Sequence, residues 1–182
     1  MRRALALLAV GLLALLGAAG CGEDDDVVAK PPPVEPTREA SGHYCGMILV
    51  DHSGPKAQVH LPGQPAPVWF SSVRDAIAFT MLPEEPRDYT AIYVNDMGVA
   101  QWDAPEPGTW IEAASASYVI GSDRMGGMGV PEAVPFATQQ AAERFVVEHG
   151  GRIVALTDVP ESYIFAYADE DDPAPPAHGD HQ

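Results

Sequence analysis

The feature that most constrains this fold is a pattern that occurs twice, 66 residues apart. Phe70-Ser71-Ser72, followed by Ala76 and Phe79, is matched by Phe136-Ala137-Thr138, followed by Ala142 and Phe145. In each copy a short apolar stretch (67–70 and 133–136) reads as a strand, a Ser or Thr stands as helix N-cap, and an amphipathic helix follows. Asp75 adds acidic charge to the first turn of the first helix, and Gly150-Gly151 ends the second. A solenoid needs more repeats than two to bury a continuous core, so this pair predicts a pseudo-twofold duplication. Val73, Ile77 and Phe79 in one copy, and Ala142, Phe145 and Val146 in the other, should lay the helices against a sheet.

Further strand-like runs at 47–50, 57–61, 89–95, 110–113, 118–120 and 152–156 are separated by Gly, Pro and Asp turns. Asp51-His52-Ser53-Gly54-Pro55 reads as the turn of a hairpin joining the first two. Many strands with only two good helices define an α+β class.

The two ends read differently. Arg2 and Arg3 precede an apolar run over 4–16, and Gly17-Ala18-Ala19-Gly20 leads into Cys21, the layout of an export signal with a processing site. It resembles a bacterial lipoprotein signal over 1–20, which makes Cys21 the lipidated first residue of the mature chain. Ala18 stands where such signals usually carry Leu, and a plain signal peptide cut near the same point is the alternative. The apolar run is too short for a comfortable membrane span. Residues 21–40, acidic and then rich in proline, read as an extended tether. Residues 168–182, with Asp169-Glu170-Asp171-Asp172, His178 and His181, read as a disordered acidic tail, leaving 41–167 as the α+β domain. Losing the signal removes two positive charges and no acid, so the formal balance moves from −16 to −18, which argues against a nucleic-acid partner.

With Cys21 joined to lipid, no internal disulfide can form, and Cys45 is an unpaired thiol in an oxidising compartment. It sits in His43-Tyr44-Cys45-Gly46-Met47, where imidazole, thiol and thioether recur at every second residue and share one face if the segment is extended. Such a donor set suits Cu(I) better than Mg²⁺ or Ca²⁺, and the thioether argues against structural Zn²⁺. A second loop, Gly121-Ser122-Asp123-Arg124-Met125-Gly126-Gly127-Met128-Gly129, offers two methionines among four glycines, one of them suited to closing the site. Met97 reads as core or turn packing, His60 as a half-exposed strand residue, and His149 as a cation at a helix C-terminus. None of His52, His60 and His149 is assigned to the metal.

No nucleophile elbow, H-E-x-x-H, phosphate loop or C-x-x-C occurs. An enzyme reading would rest on Cys45 as nucleophile and His43 as base, with no identifiable third group.

His43-Tyr44-Cys45-Gly46-Met47, Gly54-Pro55-Lys56-Ala57-Gln58, Phe70-Ser71 with Arg74-Asp75-Ala76, Asn95-Asp96-Met97-Gly98 and Gly127-Met128-Gly129 together closely resemble the NosL family, accessory lipoproteins of nitrous oxide reductase. The resemblance implies two similar ββαβ units, akin to part of the organomercurial lyase fold. It implies a periplasm-facing lipoprotein in the outer membrane, carrying Cu(I) for the reductase's tetranuclear copper-sulfide site. Its implied partners are the reductase and the ABC-type membrane complex of the same maturation pathway. Motif for motif, the metal ligands fall on Cys45 and Met128, with Met47 and His43 as supporting donors. Family members often carry proline where this chain has Gly127, which would loosen the loop and leaves Met125 open as a substitute. An exposed thiol also allows a copper-linked homodimer. The competing readings are a metal-free envelope scaffold and a thiol-dependent enzyme such as an organomercurial-cleaving one.

Overall fold

The computed structural model describes residues 30–166. Cys21, the signal and the acidic tail from 168 lie outside them. In chain order the elements are β1 (Ala57–His60), β2 (Val68–Phe70), α1 (Val73–Met81), β3 (Ala91–Asn95), β4 (Trp110–Glu112), β5 (Ser117–Ile120), β6 (Val134–Phe136), α2 (Gln139–His149), β7 (Arg152–Ala155) and the single turn α3 (Glu161–Ile164). They build two antiparallel sheets, β2-β1-β3-β4 and β6-β5-β7. Both sheets contain a β-β-α-β run whose first strand lies between the second and third, and β4 extends one edge of the first sheet.

The repeated Phe residues close corresponding strand pairs: Phe70 faces Ala57 and Phe136 faces Ser117. Val73, Ala76, Ile77 and Phe79 of α1 are buried, as their spacing requires of a helix resting on a sheet. Ala141 and Ala142 of α2 are buried, with Phe145 and Val146 half-buried against a smaller cluster of Val119, Val134 and Phe136. The larger core crosses from one half to the other, bringing Phe70, Val73, Phe79 and Val94 together with Tyr118, Ile120, Ala133 and Val154.

The two helix starts are satisfied differently. Thr138 caps α2 by accepting the Ala141 N–H at 3.2 Å. Ser72 has the extended backbone of a cap residue, yet its buried hydroxyl makes no capping bond. Instead Glu132, from the other half of the chain, accepts the Arg74 N–H at 2.9 Å. Asp96, at the end of β3, returns the arrangement by accepting the Ala137 N–H just before α2 at 3.0 Å.

Three sequence expectations are corrected. Residues 47–50 form no strand: a 3₁₀ turn at Leu49–Asp51 buries Leu49 and leaves Met47, Ile48 and Val50 exposed, so 51–55 closes no hairpin. Residues 30–40 are not a free tether. Gln58 is fully buried in β1, and Val34 accepts from its amide nitrogen at 3.0 Å and donates to its oxygen at 2.8 Å, so the amide nitrogen depends on this segment for its partner. Undocking the proline-rich segment would orphan a buried amide, and a Tyr93 hydroxyl bond to the Pro31 carbonyl at 2.7 Å holds it further. His60 is buried at 6 % exposure rather than half-exposed, its Nε2 lying 2.9 Å from Gln58 Oε1.

Candidate metal centre

The segment bearing His43, Cys45 and Met47 is a turn, not the one-faced extended stretch its alternation suggests. The Gly46 N–H donates to the Gly42 carbonyl at 2.8 Å and the Gly42 N–H to the Met47 carbonyl at 3.0 Å, with Gly46 at φ +66°. That left-handed residue reverses the chain at little cost because glycine has no Cβ. The His43 N–H donates to the Trp69 carbonyl at 2.7 Å, fastening the turn to the edge strand β2.

Cys45 is half-buried, with Sγ 3.4 Å from the Ser71 hydroxyl. Ser71 is itself buried, directly ahead of Ser72 and α1, so the thiol rests on the shoulder of a helix start. The floor beneath it is Gly42: a Cβ there would lie 2.6 Å from Sγ and 3.3 Å from Ser71 Oγ. Gly42→Ala is therefore expected to swing the thiol off Ser71 and into solvent. Because only rotation about one side-chain bond is needed, the stability loss should stay below about 1.5 kcal/mol. Faster reaction of Cys45 with an aromatic disulfide reagent, at nearly unchanged urea midpoint, would show it.

His43 stands on an aromatic shelf, its ring edge-on to Phe70 and Phe79 with centroids 5.7 and 5.6 Å away. Its Nε2 lies 3.5 Å from Glu85 Oε1, which also accepts the Tyr44 hydroxyl at 3.0 Å. Burial and that hydrogen bond push the Tyr44 phenol well above its ordinary pKa, so it remains a donor. Met47 is 42 % exposed, and Tyr44, Ile48 and Val50 are similarly open.

The second loop is a tight turn between a Met125–Pro131 bridge, closed by Gly126 N–H to Val130 O at 2.8 Å and Gly129 N–H to Gly126 O at 2.9 Å. Met125 and Met128 are 48 % and 41 % exposed, so neither thioether is spent on the core. Gly127 gains a reason here. A Cβ at that position would meet His52 Cβ at 2.7 Å and the Ser53 carbonyl at 2.9 Å, so any side chain, proline included, collides. His52 Nδ1 lies 3.3 Å from the Gly127 carbonyl. The methionine loop thus leans on residues 52–53, which directly follow the 3₁₀ turn leaving the cysteine turn.

Beneath both loops sits Glu132, fully buried. Its Oε1 accepts from Arg74 N and Ala133 N, each at 2.9 Å, the Ser72 hydroxyl interacts with the carboxyl, and Oε2 lies where a Cβ on Gly126 would be 2.5 Å away. Burial pushes this carboxyl up to about 7. Lys56 is also buried, giving its ammonium protons to the Ser53 and Gly54 carbonyls at 2.9 and 2.5 Å, and burial pulls it down to about 8. From the sequence, Gly42, Glu85 and Glu132 carried no role, while Ser71 and Lys56 stood out only as parts of quoted motifs. The one local signal was Glu132, an acid set at the head of the apolar run 133–136.

His43, Cys45 and Met47 share one turn, and Met128 belongs to the loop that abuts the segment following it. His149 is instead engaged by Asp123 at 2.9 Å, and Met97 packs with the smaller core cluster. Among the described residues no three His, Cys, Asp or Glu side chains group to hold a metal. The donors at hand are one thiol, exposed thioethers and an imidazole, a soft set suited to a monovalent copper ion.

A half-buried thiol on a glycine turn, with exposed methionines on that turn and on a second loop, sits on a small two-sheet α+β scaffold. The NosL family model matches residues 33–164, and the chain belongs to that family. It is 49 % identical over 160 residues to the copper-binding lipoprotein NosL of Achromobacter cycloclastes, covering 87 % of this chain and 81 % of that protein. To the copper-binding lipoprotein NosL of Stutzerimonas stutzeri it is 35 % identical over 159 residues, covering 87 % and 80 %. The crystal structure of the copper chaperone NosL from Shewanella denitrificans superposes with a TM-score of 0.66 at 28 % identity, covering 72 % of this chain and 99 % of that one. These relatives are named for binding or chaperoning copper, not for a reaction.

Proposed function

We propose that this protein carries Cu(I), held by Cys45 and Met128 with Met47 and His43 as supporting donors, for assembly of the tetranuclear copper-sulfide site of nitrous oxide reductase. The observation that carries the reading is the Cys45 thiol, half-buried against Ser71 yet on a turn whose neighbouring thioether stands in solvent. Copper-binding relatives at 49 % and 35 % identity support it. A thiolate with one or two neutral donors binds Cu(I) at low coordination number, so an incoming ligand can attach before the old bonds break. Delivery is then ligand exchange rather than catalysis. Because thiolate is the binding form, copper affinity falls as pH drops.

Cys21 would carry the lipid that anchors the protein in the outer membrane, facing the periplasm, where the ABC-type maturation complex and the reductase are its partners. The shared β-β-α-β run, together with the 66-residue offset between Phe70 and Phe136, is best read as a duplicated unit. Anaerobic titration against a coloured Cu(I) chelator tests the copper reading. One equivalent should be withheld from the chelator by the wild-type protein. Met128→Ile should weaken retention by about 10–100-fold, at least what loss of a partner outside the ligand set costs. No retention by the wild-type protein would discard the copper reading, and undiminished retention by the variant would remove Met128 from the site.

A further inference from the structure

We propose that Glu85 is a positioning residue of the copper site: it holds the His43 imidazole in the Nε2–H tautomer and so reserves the Nδ1 lone pair for the metal. The inference rests on the copper reading above and goes one step past it, to which atom of His43 is the donor and what sets it.

Glu85 belongs to Pro83-Glu84-Glu85-Pro86, the polar loop after α1, where acids ordinarily face water. Glu84 does so, whereas the Glu85 side chain is turned inward and only 16 % exposed. A carboxylate gives up hydration only for compensating partners: Oε1 accepts the Tyr44 hydroxyl at 3.0 Å and faces His43 Nε2 electrostatically at 3.5 Å. Both belong to the cysteine turn, so one loop carboxylate grips the two residues preceding Cys45. An anion beside Nε2 favours the proton on that nitrogen, which leaves Nδ1 as the basic one. Among the described residues nothing hydrogen-bonds to Nδ1. The edge-on contacts with Phe70 and Phe79 fix the ring plane, so Glu85 has only the proton's position left to decide. Carboxylates that take the far nitrogen of a metal-bound imidazole both orient the ring and raise its basicity.

The test uses the exported, processed protein in detergent micelles. Long-range ¹⁵N–¹H correlation of the metal-free protein, at a pH where the ring is neutral, reads which nitrogen of His43 carries the proton. Wild type should show Nε2–H. Glu85→Gln, whose amide oxygen still faces Nε2 and can accept the Tyr44 hydroxyl, should retain more of the Nε2–H tautomer than Glu85→Ala does. Glu85→Ala should mix the tautomers and lower the affinity by about 10–100-fold. In a His43→Ala background, Glu85→Ala should cost clearly less than it does with His43 present, because only the Tyr44 hydroxyl bond is then lost. An unchanged tautomer in Glu85→Ala, or an equal loss of affinity with and without His43, would overturn the proposal. Failure of the wild type to compete for Cu(I) would instead sink the copper reading, while the metal-free tautomer still decides what Glu85 does.

Discussion

Replacing Cys45 by serine is expected to remove tight Cu(I) binding, lowering affinity by more than about 100-fold, because even partners outside a ligand set cost 10–100-fold when removed. Serine keeps the shape and contact distance to Ser71 but offers a hard oxygen that stays protonated at neutral pH. The remaining donors are thioethers and an imidazole, none able to supply negative charge to the metal. Stability should barely change, since a half-buried hydroxyl beside Ser71 can hydrogen-bond where the thiol did. Copper competition and urea unfolding on the same sample separate the two effects. A variant that still binds with wild-type strength would move the site to the methionine loop.

The second large effect is a pH-dependent cost built into Glu132. Its ordinary value of 4.5 is pushed up to about 7 by burial. Below pH 4.5 the carboxyl is neutral whether the chain is folded or not and costs nothing. As pH rises towards 7 the unfolded chain ionises it freely while the folded one resists, so stability falls across that window, by about 3 kcal/mol in all. Lys56 provides an opposing charge that moderates the loss. Glu132→Gln preserves an acceptor for Arg74 N–H and Ala133 N–H but cannot ionise. It should match wild type near pH 4.5 and exceed it by up to about 3 kcal/mol at pH 8. Glu132→Ala, which leaves the Arg74 amide unpaired beside a cavity, should instead lose about 2–4 kcal/mol throughout. Urea unfolding at pH 4.5, 6 and 8 distinguishes these. A Gln variant whose advantage does not vary with pH would show that Glu132 ionises normally.

What the carboxylate does for the site explains why such a cost is retained. Through Arg74 it completes the start of α1, whose preceding Ser71 supports the thiol, and through Gly126 it abuts the base of the Met128 loop. One buried group therefore links the start of α1 to the base of the methionine loop.

The α+β class, the two helices with their buried faces and most strand positions were legible in the chain, as were the side-chain types on which the copper proposal rests. All are short-range: a 3.6-residue or alternating pattern, a cap residue, or the chemistry of one side chain decides them. Alternation misled at 43–47 and 47–50, where Gly46 in the left-handed region and the burial of Leu49 converted apparent strand into turns. It also missed that residues 30–40 dock, because their value lies in satisfying Gln58, far along the chain.

By itself, then, the sequence determined the α+β class, the two helices and which loops carry the cysteine and the methionines. The tertiary structure alone decided how those atoms are held: Tyr44 meets Glu85 across 41 residues, and Arg74 meets Glu132 across 58. Such pairs leave no periodic trace, since a carboxylate on a distant loop has no spacing rule linking it to its partner. Only tertiary packing, driven by burial of apolar surface, brings it within bonding distance, within one half for Glu85 and between the two halves for Glu132.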